Sequence, residues 1–214
     1  VSDPVARVWT RGAAIRPVPS YAVVGEGALR SIEEELATDA SVDGGPMDTA
    51  WDRFEETQPE LVARVHEVLD RPLDETALAL GYFLSLAVWL AFDRAFGGRL
   101  RPVSGDAWRA TVDALALEED LRRENADEPL ELDDVLALEQ PEVVTFVHEH
   151  IEAALDSDRP YATGSPGEDG AEADAKDVDV DDVHLVYRTI LLEILALSHA
   201  IAPGADERST ELLA

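Results

Sequence analysis

The chain has 214 residues, room for one domain with a sizeable core or for two small ones. Its 46 acidic residues against 17 basic ones leave a net charge of −29, which counts against a nucleic-acid partner. It has no cysteine, so disulfides, thiolate metal sites and a cysteine nucleophile are excluded.

A compact state with this charge repels itself in dilute buffer. In molar salt the Debye length falls to about 3 Å and most of that repulsion is screened. Lys176 is the only lysine, and every other cation is arginine. A carboxylate-rich, lysine-poor chain that still has 46% hydrophobic residues is expected to be folded and to work in a salt-accumulating cytosol. In such a chain the acidity reflects the solvent more than the choice of partner.

In chain order, residues 1–24 read as an extended arm, because Pro17 and Pro19 oppose helix and the apolar residues have no helical period. Leu29, Ile32 and Leu36 recur at helical spacing, and Asp43-Gly44-Gly45-Pro46 closes that unit. Trp51 and Phe54 mark a short helix; Leu61, Val62, Val65 and Leu69 form the face of the next, which Pro72 stops. A long apolar helix is expected over 74–96, with Asp74 as N-cap and Gly97-Gly98 as exit. Its apolar stretch from Ala77 to Phe92 has sixteen residues, about 24 Å of helix, short of the ~30 Å hydrocarbon core. A buried core helix is the expectation there, with no membrane span.

Ser104-Gly105-Asp106 opens a helix carrying Trp108, Val112 and Leu115 and running to about Glu124, followed by a polar loop and a short helix at 133–139. Pro141 starts another, with Val143, Val144, Val147 and Ile151 on one face. Residues 157–181, rich in Gly, Asp, Glu and Ala, read as a mobile acidic loop. The last helix is expected at about 182–201, and 204–214 as a frayed tail.

Gln58–Leu69 aligns without gaps on Gln140–Ile151, with seven of twelve positions identical. Proline at the first helical position followed by Glu is a helix-start signal by itself. The repeated Val-His-Glu is not explained by capping. The sequence therefore predicts an all-α, single-domain bundle of about seven helices, spanning 25–203. It would be built on a duplicated helix hairpin (about 48–97 and 132–203) packed about a pseudo-twofold axis, with the N-terminal arm lying on the surface or on a second subunit.

Candidate chemistry is sparse. Glu193 sits in the apolar run Ile190–Leu195, opposite His184, Arg188, Ser198 and His199 on the helical wheel, and its counterpart in the first repeat is Leu86. A buried carboxyl must be paired, hydrogen-bonded or protonated. It would serve either as a structural group satisfied by a neighbouring helix or as a general base or metal ligand. His150 falls on the apolar flank of its helix; His66 and His148 hold equivalent positions that a pseudo-twofold could bring together. With Glu67, Glu149 and Glu193 they would offer ligands for zinc, iron or manganese, although the spacing does not match Glu-x-x-His or His-Glu-x-x-His.

Two basic stretches lack acids altogether: 4–24 with Arg7, Arg11 and Arg16, and 94–105 with Arg94, Arg99 and Arg101. Arg99, Arg101 and Ser104 are anion-binding candidates, arginine forks beside a helix start. The alternative is that these arginines lie against the protein's own carboxylates, pinning arm and loop to the body. The leading functional expectation is a non-enzymatic helical interaction module, an adaptor or regulator with a protein partner or a second copy as a homodimer. The alternative is a small metal-dependent enzyme or ligand sensor on Glu193, His150, His148 and His66. No cofactor is expected.

Overall fold

The computed structural model describes residues 15–38, 46–124, 132–157 and 178–204. Among them the fold is all-α, with eight α-helices and two short 3-10 turns, one helix more than the sequence count. The helices are α1 (Glu26–Thr38), α2 (Pro46–Thr57), α3 (Pro59–Leu69), α4 (Glu75–Phe96), α5 (Gly105–Glu124), α6 (Leu132–Glu139), α7 (Pro141–Ser157) and α8 (Val180–Ala200). Residues 1–14 of the expected arm, 158–177 of the acidic loop and 205–214 of the tail lie outside the described residues.

The long apolar helices α4 and α8 form the centre and share the most extensive contact in the fold. Each begins in the same way. Asp74 accepts from the backbone N–H groups of Thr76 and Ala77, and Asp179 from those of Asp181 and Asp182. These bonds satisfy donors that a helix start leaves open. The two starts are joined, since the Asp74 N–H donates to Asp182 Oδ2 at 2.8 Å. The two ends are joined as well: Leu100 pairs with Ile201 in an antiparallel bridge, flanked by Arg101 N–H to Ala200 O and Ala202 N–H to Arg99 O. Bound at both ends, α4 and α8 run side by side in the same direction.

Two glycines make this geometry possible. Gly97 ends α4 with φ +50°, in the left-handed region where a side chain is strained. At Gly81 a Cβ would lie 2.3 Å from Leu69 Cδ2 and 3.5 Å from Val186, so α3, α4 and α8 meet where there is no room for one. Phe54 stacks on Trp89 at 4.9 Å, both fully buried, and burial of the Phe54 ring alone contributes about 1.5–3 kcal/mol. By length and composition α4 and α8 could each cross a membrane, with mean hydropathy 1.6 and 1.3; here most of each apolar window (67% and 61%) is buried in the protein. Every residue from Leu84 to Phe92 is covered.

The residues that open α3 and α7 do more than start helices. Gln58 and Gln140 are fully buried, and each amide clamps an extended segment. Gln140 donates to Ala22 O at 2.7 Å and accepts from Val24 N–H at 2.9 Å. Gln58 donates to Arg101 O at 3.2 Å and accepts from Val103 N–H at 2.8 Å. In both cases a helix starts two residues after the clamped N–H, α1 at Glu26 and α5 at Gly105. Each half therefore supplies the glutamine that holds the other half's segment. Several pairings match: α1 lies on α4 as α5 on α8, α3 on α8 as α4 on α7, and α1 on α7 as α3 on α5, whereas the packing of α3 on α4 and of α5 on α6 has no counterpart of similar extent. The matching pairings are those a duplicated unit would give, and they extend past the hairpin to include α1 and α5.

The described part of the arm, 15–24, is built into this body. Ile15, Val18, Ala22 and Val24 are buried, and the Val18 N–H donates to Glu139.

Candidate binding cleft

The candidate residues from the sequence fall in separate places. Glu193 is fully buried in α8, and neither carboxyl oxygen has a hydrogen-bond partner. Burial pushes its pKa well above the carboxylate range, and the Ser85 hydroxyl of α4, on the same side, opposes that only in part. The burial patterns of α4 and α8 coincide when Ala77 is set on Val183, Leu80 on Val186, Leu84 on Ile190 and Val88 on Ile194. In that register Glu193 answers to Ala87 and not to Leu86. The side of α8 opposite Glu193 is not a polar face either. Ser198 is fully buried there and accepts from the Gln140 amide at 2.9 Å, because α8 is covered on both sides.

His148 Nε2 pairs with Tyr187 Oη at 2.6 Å. His150 packs against the rings of Phe83 and Phe146, which also stack on each other, and its Nδ1 bonds the Phe146 carbonyl at 2.8 Å, the satisfied histidine of an apolar flank. His66 packs against Trp51 and Tyr82. No hydrogen bond or ring contact joins Glu193 to any of these histidines, or His66 to His148; each histidine is engaged by other aromatic neighbours. Among the described residues no group of three or more His, Asp or Glu side chains is placed to hold a metal ion.

The arginines divide into two roles. Arg99 is a pin: Nε donates to Ala202 O at 2.9 Å, Nη2 to Tyr21 O at 3.4 Å, and its guanidinium lies over the rings of Tyr21 and Phe96. It ties arm, loop and C-terminal segment together through carbonyls and rings. Ser104 caps α5, its hydroxyl accepting from Ala107 N–H at 3.2 Å. The first N–H of that helix, on Gly105, donates to the Glu60 carboxylate, so the positive helix end already has an anion from the protein itself.

Arg101 is different. It lines a cleft of about 540 Å³ between the 101–104 segment, α5 and α8, with Arg16 and Ile15 of the arm at one side. The polar side chains on its wall are Arg16, Arg101, Ser104, Thr111 and His199; the rest are apolar, mainly alanines and branched aliphatics. More than one residue in five of the chain is acidic, yet among the described residues no carboxylate lines the cleft. Burial and the neighbouring Arg16 guanidinium lower the His199 pKa, although its hydrogen bond with the Arg16 backbone works the other way; the buried Nδ1 has no partner.

Comparison of the two halves explains why the cleft is open. The clamped segments place Ser31 of α1 opposite Ala110 of α5, and the burial register places Arg94 of α4 opposite Ala200 of α8. In the first half Arg94 Nη1 spans α4 and α1 to bond Ser31 Oγ at 2.8 Å. In the second half the two equivalent positions are alanines, and both line the cleft. The sequence signal was present in the acid-free arginine stretches, but His199, Thr111 and the alanine wall could not be assigned to it without knowing which helices meet.

Against family models, curated proteins and solved structures, this chain matches none.

Proposed function

We propose that the protein is a non-enzymatic helical binding module, an adaptor or regulator that holds a ligand or partner in a high-salt cytosol. The observation supporting this is the cleft at 101–104, α5 and α8: among the described residues its wall offers hydrogen-bond donors and apolar surface. Its position also favours a regulator. The arm, the loop after α4 and the end of α8 converge there, so an occupant would touch three otherwise distant parts of the chain. Volumes of about 300–1,000 Å³ are usual for small-molecule sites. A second copy is the partner expected first, and a homodimer would appear in light scattering as twice 23.3 kDa.

The rival reading, a small metal-dependent enzyme or sensor, is favoured by one feature, the buried unpaired carboxyl of Glu193. A thermal-shift screen of small molecules in molar KCl separates the two. The proposal expects at least one compound to raise the melting temperature of the wild type and not that of Ala110→Trp, whose indole would occupy the cleft. A compound consumed to product, or stabilisation by divalent metals that is lost in Glu193→Gln, would favour the rival.

A further inference from the structure

We propose that the cleft is a receptor site for a small organic monocarboxylate, its apolar body lying between α5 and α8 and its carboxylate directed to Arg16 and Arg101. This rests on the cleft being a binding site and specifies what it binds.

Four arginines of the described body have carboxylate partners in the same chain: Arg30 with Glu26, Arg53 with Asp93, Arg64 with Glu67 and Arg109 with Asp106. The guanidiniums of Arg16 and Arg101 have no ion pair or hydrogen bond with any described residue, although carboxylates abound, and both line one cleft. Guanidinium forks match a carboxylate in planarity and spacing.

The remaining wall sets the ligand class. Val103, Ala107, Ala110, Ala114, Leu195 and Ala196 offer no hydrogen bond from their side chains, so a ligand polar over its whole surface, such as inorganic phosphate or a sugar phosphate, would leave much of its hydration unreplaced. A single anionic head on an apolar body satisfies both parts of the wall.

The wall is also fixed in place. Gln58 clamps Arg101 and Val103, and the Leu100–Ile201 bridge closes the end. Such preorganisation limits the ordering cost of binding.

The test is isothermal titration of the full-length chain in molar KCl with octanoate, octan-1-ol and inorganic phosphate. Octanoate is expected to bind saturably, one per chain, at least tenfold tighter than octan-1-ol, with no saturable phosphate binding. Arg16→Gln and Arg101→Gln, both at exposed positions, are each expected to weaken octanoate at least tenfold while retaining the helical circular-dichroism signal. Ala110→Trp is expected to abolish it. If octan-1-ol binds as tightly as octanoate and Ala110→Trp blocks both, the cleft remains a binding site and the carboxylate assignment is overturned. Phosphate binding in preference to octanoate overturns the assignment too. If none of the three probes binds, the carboxylate inference falls and the cleft loses its support as a binding site.

Discussion

Burial raises the pKa of a carboxyl group that lacks partners, and Glu193 is such a group, the Ser85 hydroxyl opposing the shift only in part. Its folded pKa lies above the unfolded one, so between the two values the folded state binds more protons. Stability therefore falls as pH rises through that window. Glu193→Gln removes the titration. In guanidinium melts across pH 4 to 9, the stability of the variant relative to wild type is expected to rise with pH above the ordinary carboxylate range. A constant difference across that range would contradict the burial of an unpaired acid. At this scale the sequence was informative about anomalies and silent about partners. Glu193 stood out because an acid interrupts an apolar run, but whether histidines surround it depends on neighbouring helices. Gln58 and Gln140 were visible only as helix-start residues. Their clamps reach segments more than forty positions away, which no local pattern encodes.

At the scale of elements, the helices were legible because apolar period, proline at the first turn and glycine at the exit agree with one another. α3 and α7 start at their prolines, and α4 ends at Gly97 as expected. The extended segment at 101–103 was less legible, since three residues held by a distant glutamine leave no periodic signal. The clamps give this scale its prediction. Gln140→Leu strands the Val24 N–H and the Ala22 carbonyl in a buried place, at a cost of about 1–3 kcal/mol per stranded group, and removes one of the two hydrogen bonds of Ser198, which still donates to the Ile194 carbonyl. Gln58→Leu strands two groups and keeps no third, so its loss in denaturant midpoint is expected to be the smaller. Equal stability of wild type and Gln140→Leu would show that the clamp contributes nothing.

For the whole molecule, charge and the similar contacts of the two halves are the governing features. A net charge of −29 on 214 residues is compatible with a compact fold where ions screen it. The helical circular-dichroism signal is expected to collapse on dialysis from molar KCl into dilute buffer; retention there would overturn the high-salt reading. The matching halves were half legible. Twelve aligned residues identified α3 and α7, while α1 and α5, whose sequences diverge, reveal their correspondence only through the clamped segments before them. That divergence also matters for function, because the cleft lies where Ala110 and Ala200 of the second half answer to the bridged Ser31 and Arg94 of the first.

The most direct test of a binding role for this cleft is to purify wild type and Ala110→Trp in molar KCl, unfold both, and identify by mass spectrometry the small molecules each releases. The account predicts a carboxylate-bearing compound released by the wild type and missing from the variant. The same compound released in equal amount by both proteins would place any binding elsewhere and contradict it.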